Sequence, residues 1–294
     1  MAFGKIQRSA ELFKQAWGVL RGDPQLAIFP VISAASTLLV IASFVLPVVF
    51  SPALQDSFHA LINARRGVEN TDGASMVAAI AMTFSFYLVT SFVTIFFNAA
   101  LLGAADRKFR GLPTGVVEGL HVAIGRLPQI LGWAIVSAIV GTILRMIEER
   151  SGWLGRIVIA LFGAAWAIAS YFAIPALVIE GVGPIEALKR SVATIRKTWG
   201  ESLVLAVGFG VVGFLISFAA IIVVVAGVVV GVVTQSVALG IAIGSIGVLA
   251  LIAWIIVAST LRAIVQVALY RFATDGTIPQ GFRQDSLQMA FARK

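Results

Sequence analysis

Six long apolar stretches, separated by shorter polar segments, dominate the pattern of hydrophobic and polar positions along the chain. An α-helix needs about twenty apolar residues to cross the hydrocarbon core of a bilayer. The pattern therefore predicts six transmembrane helices, at about residues 25–49, 76–102, 128–147, 157–179, 202–233 and 239–269. The fifth stretch is longer than a span requires, so we expect its helix to tilt or to loosen near Gly227 or Gly231.

Amphipathic segments precede the first, third and fifth spans, at about residues 5–20, 117–127 and 184–200. Their apolar side chains recur at spacings of three and four, which is typical of a helix with one apolar face. The order of amphipathic interfacial helix, span and span thus occurs three times. The predicted units are about 1–112, 113–183 and 184–278, with a short polar tail at 271–294.

The first and third amphipathic segments resemble each other at a constant offset of 182 residues. Four identical positions carry the similarity: Arg8, Ser9, Trp17 and Gly18 recur as Arg190, Ser191, Trp199 and Gly200. The two apolar stripes also superimpose: Ile6, Ala10, Phe13 and Trp17 against Leu188, Val192, Ile195 and Trp199. We therefore expect the first and third units to share one backbone arrangement.

Local signals place the ends of several helices. Asp23 followed by Pro24 is typical of an N-cap and the first helical position, so Asp23 is predicted to cap the first span. Residues 148–156 are predicted to form a tight loop, and the polar tail is predicted to begin at Arg271.

Composition supports a membrane protein. Hydrophobic residues make up 59% of the chain and charged residues 12%, with a mean hydropathy of +0.99, whereas a soluble domain is about a quarter charged. The chain contains no cysteine, which excludes disulfides and thiolate chemistry. We expect an all-α, polytopic membrane helix bundle that forms a single transmembrane domain over residues 1–294. No cleavable signal peptide is predicted, because the first apolar run is too long and follows an amphipathic helix.

The distribution of cations predicts the orientation. Sixteen of the 22 lysines and arginines lie on the side of the N-terminus, and the predicted opposite loops hold four, at Arg65, Arg66, Arg150 and Arg156. Cytoplasmic loops carry this excess in membrane proteins. The chain is therefore expected in the cytoplasmic (inner) membrane, with both termini in the cytoplasm. The net charge of +8 reflects this anchoring rather than a nucleic-acid partner.

No catalytic pattern is found. His59 and His121 fall on opposite sides of the predicted membrane, so one subunit cannot use both in a metal site. The glycines of 208–213 match a dinucleotide-binding pattern, but they lie inside a predicted span instead of after a strand. We predict that the protein is not an enzyme and has no catalytic, cofactor or metal site.

A few residues within the spans have alternative interpretations. Arg262 is a functional candidate because charges inside a membrane are costly, but it lies close enough to Arg271 to anchor the helix at the surface instead. Asn98 can form a hydrogen bond between helices or simply pack. The glycine pairs of the fifth and sixth spans, including Gly244, are expected to allow close helix packing.

The basic amphipathic helices are the candidate contact surface. The side chains assigned to it are Arg8, Lys14, Lys189, Arg190, Arg196 and Lys197. They are hypothesised to attract anionic lipids at the cytoplasmic face, where each cation contributes about 1 kcal/mol. The alternatives are that they only set topology, or that they bind an acidic protein partner.

Several motifs resemble a family of uncharacterised prokaryotic six-helix integral membrane proteins. The similarity includes Ser9 to Arg21 with Phe29-Pro30, Arg145 to Arg150, and Glu180 to Glu201. It extends over nearly the whole chain to Arg271, and more distantly the chain is similar to YciC-like and Yip-type membrane proteins. The resemblance implies an all-helical membrane protein without an assigned activity, and it assigns no functional residue.

Two functions from different classes are consistent with these observations. The first is a non-enzymatic membrane scaffold or assembly partner, in contact with the lipid bilayer and with a second copy of the chain or another membrane protein. The alternative is a transporter or channel for a small or lipidic solute. Transport sites use broken helices with polar groups near the midplane, and such groups are scarce in this chain. The sequence therefore favours the scaffold.

Overall fold

A computed structural model of the chain confirms the predicted all-α fold. The structure describes residues 2–51, 73–198 and 201–289, together with Gln55 and Ile62. Within these residues it contains no β-strand. Six helical segments there are long and apolar enough to cross a membrane: Pro24–Phe50, Ile80–Phe109, Leu127–Glu148, Trp153–Glu180, Gly213–Val233 and Val237–Asp275. Trp199, Gly200, Arg65, Arg66 and His59 lie outside the described residues, as do the side chains of Arg8 and Lys197.

The described part of the chain forms α1 Ala2–Gly22, α2 Ile28–Phe50, α3 Gly73–Phe109, α4 Val116–Gly125, α5 Leu127–Arg150, α6 Trp153–Ala169, α7 Pro184–Thr198, α8 Glu201–Val233, α9 Val237–Asp275 and α10 Gln284–Met289. A 3₁₀ turn, Pro24–Ala27, connects α1 to α2. The amphipathic helices are thus α1, α4 and α7. That the first and third units share one backbone arrangement stays a prediction.

Three helices extend beyond their predicted ends. The second span continues through the charged residues to Phe109, the third includes Glu148 to Arg150, and the sixth passes Arg271 and ends at Asp275. The polar character of these residues marks where a span leaves the apolar region. It does not end the helix, because backbone hydrogen bonds continue into the polar region.

The fourth span is interrupted near its end. After α6 the chain turns at residues 170–172, forms one helical turn at Ala173–Pro175, and continues as a π-helix at Ala176–Glu180. Pro175 explains part of this change, because its ring removes one backbone donor and crowds the preceding turn. Gly181 then ends the segment in the left-handed conformation, at φ 71°.

The fifth span, in contrast, is one continuous helix from Glu201 to Val233, so the expectation that it loosens near Gly227 or Gly231 is wrong. Both glycines face the glycines of α9. A methyl group built on Gly231 would lie 3.1 Å from Gly240 Cα, and one built on Gly227 would lie 2.5 Å from Gly244 N. Close backbone packing across the α8–α9 hairpin therefore replaces the predicted loosening.

The chain forms two compact units, and neither coincides with a predicted repeat. The first unit consists of Met1–Pro30, Ala104–Gly115 and Thr194–Lys294, and the second of Val31–Gly103 and Val116–Ala193. That the whole chain forms a single transmembrane domain stays a prediction.

In the first unit, α1 packs against α8, α9 and α10. Phe13 of α1 stacks on Trp254 of α9, with ring centroids 6.4 Å apart. The residues of α9 from Ala263 to Tyr270 are buried on every side of the helix. The preceding part of α9 instead exposes large apolar side chains from Val237 to Ile255. Protein thus surrounds the end of the sixth span, while its first two thirds are open to lipid.

In the second unit, α5 packs against α6, and Trp133 stacks on Trp166 with centroids 5.7 Å apart. Phe172 and Ala173, at the interruption of the fourth span, are fully buried. Aromatic side chains of α3 pack on one another and on α2, as in the edge-to-face pair of Phe44 and Phe86.

The buried face of α1 is displaced by one residue from its predicted apolar stripe. In α1 the buried positions include Leu12 and Ala16, where the predicted stripe has Phe13 and Trp17, which are only half-buried. The buried face of α7 instead includes the stripe residue Ile195 together with Ala187 and Ser191.

Ser191 connects α7 to the interruption of the fourth span. Its buried Oγ accepts a hydrogen bond of 2.9 Å from the backbone N–H of Phe172. We expect Ser191→Ala to lower the free energy of unfolding by about 1–3 kcal/mol, because a buried donor loses this acceptor. Thermal unfolding in detergent measures the change.

Ser245→Ala is the control for this prediction, because Ser245 is exposed and its hydroxyl donates only to the carbonyl of Ala242 in its own helix. It should change stability by less than about 0.5 kcal/mol. Equal effects of the two substitutions would contradict the role assigned to Ser191.

Candidate functional site

A buried ion pair joins the ends of the second and sixth spans. Asp106 of α3 and Arg271 of α9 form a bidentate contact, with Nε to Oδ1 at 2.6 Å and Nη2 to Oδ2 at 3.0 Å. The carboxylate is only 9% exposed and the guanidinium side chain 20%. Arg271 also donates from Nη1 to Asp275, one turn further along α9, at 2.8 Å. This fork geometry gives both strength and direction to the contact.

Asp23 forms a second polar contact in the same unit. Its Oδ2 accepts a hydrogen bond of 2.5 Å from Thr114 Oγ1 and lies 3.5 Å from Lys108 Nζ. Asp23 precedes Pro24 as predicted, but its side chain forms no capping hydrogen bond to the helix that follows. Asp23 thus occupies the predicted N-cap position before Pro24. Its carboxylate connects the α1–α2 turn to residues 108 and 114 instead of binding the backbone that follows. We call Asp23, Asp106, Lys108, Thr114, Arg271 and Asp275 the Asp106–Arg271 cluster.

Glycines at the ends of α3 and α9 set the position of this cluster. Gly111, at φ 67°, donates to the carbonyl of Lys108, and Leu112 donates to that of Arg107, which is a Schellman motif. Gly276, at φ 66°, donates to the carbonyl of Phe272 and ends α9 with the single hydrogen bond of an αL motif. An L side chain is strained at these angles. Both helices therefore stop a few residues past the ion pair, and the chain turns away from it.

The chemistry of the cluster is structural. Ionised carboxylates only accept hydrogen bonds, and a guanidinium does not release its proton in the physiological range, so the pair offers no acid–base couple. Within the described residues, no three histidine, aspartate or glutamate side chains are placed to hold a metal ion. The cluster thus fixes the ends of two spans and the α1–α2 turn relative to one another.

A second set of polar contacts, in the second unit, holds the interrupted end of the fourth span. Arg126 Nε donates to the carbonyl of Val178 at 3.2 Å, and Gln129 Nε2 donates to that of Gly181 at 3.3 Å. Glu180 pairs with Arg190, whose Nε also donates to Glu186 at 3.1 Å. Arg126, just before α5, and Gln129 of α5 thus bind backbone carbonyls at the end of the interrupted span. Arg190 of α7 binds the carboxylate of Glu180.

The structure separates the predicted contact residues into two classes. Lys14, Lys189 and Arg196 are exposed, as a lipid or partner contact requires. Arg190 is exposed as well, but it pairs with Glu180 and Glu186, so its charge is largely compensated within the chain.

The two intramembrane candidates also differ. Arg262 is exposed although its neighbours Leu261 and Ala263 are buried, and it lies two turns beyond Ile255, the last large apolar side chain that α9 exposes. This position favours the anchoring interpretation, since the guanidinium lies where the lipid-exposed surface ends. Asn98 is half-buried in α3, and no hydrogen bond joins its amide to another described residue. The packing interpretation of Asn98 is therefore the better supported one.

The sequence alone did not identify Asp106 and Arg271 as an ion pair, or Thr114 as a hydrogen-bond partner of Asp23. One signal was present: Asp106 is an isolated acid in the basic run that continues with Arg107 and Lys108. Its partner lies 165 residues away. No local pattern identifies such a partner.

Comparison with known proteins gives a family without an assigned activity. A family model described as "Family of unknown function (DUF6159)" matches residues 77–281. This range includes the Asp106–Arg271 pair and both halves of the α8–α9 hairpin. A search among curated proteins found no match.

Proposed function

The chain belongs to DUF6159, a family of unknown function, and we propose that it acts as a non-enzymatic scaffold or assembly partner within the membrane. The observation that carries this proposal is that charged side chains of the protein are paired within the chain while a long apolar surface is exposed. The charged side chains of the Asp106–Arg271 and Glu180–Arg190 ion pairs are engaged by other parts of the chain. The α8–α9 hairpin, by comparison, presents a long apolar surface.

The hairpin surface is suited to lipid and to other membrane helices. Exposed large apolar side chains occur along both helices from Phe214 to Val233 and from Val237 to Ile255. Each of these stretches is about 30 Å long, which matches the hydrocarbon core. Because helices associate in lipid through close packing, a smooth apolar hairpin offers a surface for a second copy or another membrane protein.

Transport is the second candidate, and one observation favours it. The fourth span is interrupted by a turn and a π-helical segment, and discontinuous helices form the substrate sites of many transporters. The groups opened by the interruption are nevertheless engaged by Arg126 and Gln129. We therefore place transport second.

Two measurements separate the candidates. Protein extracted from native membranes with a membrane-forming polymer should migrate as a complex larger than the 31.0 kDa chain if it is a scaffold. Purified protein in liposomes should then show no flux of ions, small fluorescent solutes or labelled lipid above that of empty liposomes. Flux above this background, together with a monomer in the native extract, would replace the scaffold by the transporter.

The proposal includes an orientation and a location. The cation distribution supports an inner-membrane protein with both termini in the cytoplasm and with cytoplasmic anionic lipids in contact with its basic helices. The more distant likeness to YciC-like and Yip-type proteins belongs to the same proposal.

Reporter fusions test the orientation. Fusions at Gln55, Gly152 and Gln235 should report the outside, and fusions at Pro113 and Pro184 the cytoplasm, because the excess of cations accompanies the latter two segments. A cytoplasmic signal from Gly152 would contradict the predicted topology.

A further inference from the structure

The short helix α4 turns its large apolar side chains away from the protein. Gly119 and Ala123 are buried, whereas Val117 is 72% exposed and Ile124 is 57% exposed. An amphipathic helix of a soluble protein does the opposite, because its apolar stripe packs on the core. The exposed face of α4 is therefore suited to an apolar partner outside the described chain.

Close packing on α3 holds α4 in this orientation. A methyl group built on Gly103 would lie 2.6 Å from Cγ1 of Val122, so α3 leaves no space for a larger residue where α4 crosses it. Two residues separate Val122 from Ile124, which places them on nearly opposite sides of a helix with 3.6 residues per turn. The helix cannot turn Ile124 to the protein without losing the contact with Gly103.

The exposed face of α4 leads into the exposed face of α5. Large apolar side chains are exposed along α5 at intervals of four residues, and we call them the α5 ridge: Leu127, Leu131, Ile135, Ile139, Ile143 and Ile147. The ridge is about 30 Å long, which matches the hydrocarbon core of a bilayer. Ile124 of α4 lies three residues before the first ridge residue. The bilayer that covers the ridge is thus the apolar partner nearest to α4.

Charged side chains do not interrupt this surface. Arg126, which follows α4 directly, turns to the protein: its Nε donates to the carbonyl of Val178 at 3.2 Å, and its guanidinium lies against Gly181. The helix itself contains no lysine or arginine, and its single carboxylate, on Glu118, belongs to a half-buried residue. His121 is exposed on the apolar face, where an imidazole combines an apolar ring with a polar tip.

We propose that α4 lies in the boundary between headgroups and acyl chains, with Val117 and Ile124 inserted between the acyl chains of the lipid. The α5 ridge already spans the core, so α4, on the other side of the turn at Arg126, continues along the membrane surface. Apolar burial drives this contact, because α4 carries no cation. The contact therefore differs from the attraction of anionic lipid proposed for Lys14 and Lys189.

Collision accessibility of a nitroxide label tests this contact in the full-length protein. The chain contains no cysteine, so Val117→Cys and Ile124→Cys each introduce one labelling position. In dioleoylphosphatidylcholine liposomes, each label should collide readily with oxygen, which concentrates among acyl chains. It should collide rarely with Ni-EDDA, a nickel complex that stays in water. Each position reports by itself, so the test survives if one variant cannot be purified.

Two positions in the same unit provide the references. Ile135→Cys lies in the α5 ridge and should give a high ratio of oxygen to Ni-EDDA accessibility. Lys189→Cys lies on the exposed polar face of α7 and should give a ratio severalfold lower. The ratios at Val117 and Ile124 should be close to that at Ile135.

Three results would overturn the proposal. Ni-EDDA accessibility at both α4 positions as high as at Lys189 would show that water covers this face. Labels that neither reagent reaches would assign the face to a second copy of the chain or another protein. A high ratio that appears only when dioleoylphosphatidylglycerol is added would replace apolar insertion by attraction to anionic headgroups. Complex size and solute flux do not enter this comparison, so its failure leaves the scaffold proposal intact.

Discussion

Gly227→Ala is expected to destabilise the α8–α9 hairpin strongly. A methyl group on Gly227 would lie 2.5 Å from Gly244 N and 2.8 Å from Gly240 O, which are backbone atoms that no rotamer change can move. Such overpacking costs about 1–3 kcal/mol, because the two helices must separate along their contact. We expect the melting temperature in detergent to fall by about 5 °C.

Gly244→Ala is the matched control for this prediction, since Gly244 faces Gly227 in the same contact. A methyl group on Gly244 meets nothing closer than Val224 O at 4.0 Å, so its substitution should leave stability nearly unchanged. Both glycines belong to the predicted close contact, but only the position of a methyl group on Gly227 is occupied by backbone of the facing helix. Equal losses for the two variants would show that the hairpin does not pack as described.

Asp106→Asn is expected to have the second large effect. It leaves the guanidinium of Arg271 largely buried without the carboxylate that accepts two of its hydrogen bonds. Breaking a buried pair from one side costs about 3–5 kcal/mol, because the remaining charge loses its compensation. Thermal unfolding should show the loss, and the ends of α3 and α9 should become more accessible to protease.

The same network provides controls. Asp275→Asn removes an exposed carboxylate that contacts Arg271 within one helix, and it should cost less than about 0.5 kcal/mol. Asp106→Asn/Arg271→Gln removes both charges, so it should be more stable than Asp106→Asn alone. A double variant that loses the sum of both single effects would show that the pair does not act as a unit.

Most of the fold was predictable because its signals are local. Apolar length identifies spans, since a helix in lipid satisfies its own backbone and needs only a side-chain surface of the right length. Spacings of three and four identified α1 and α7 within a few residues of their ends. Helix ends were predicted less well: α3 and α9 stop at Gly111 and Gly276, several residues after the charges at which the spans were expected to end.

The candidate site was only partly predictable. The exposure of Lys14 and Lys189 agrees with their assignment to a contact surface, because cations on the polar face of an amphipathic helix stay solvated. Arg190 belongs to the same pattern but pairs with Glu180, which lies at the end of the preceding span. A helical pattern predicts on which face of a helix a charged side chain lies. It does not predict which residue of another segment contacts that side chain.

The sequence by itself determined the class of the molecule: six apolar spans, three amphipathic helices and an excess of cations on one side. Each of these depends on local composition and period. Only the tertiary structure decided that Asp106 meets Arg271, that the Asp23 carboxylate binds Thr114, and that a methyl group on Gly227 would meet the backbone of Gly244. These contacts join residues far apart in the chain, so they depend on how helices pack and rotate against one another, and no local pattern records that.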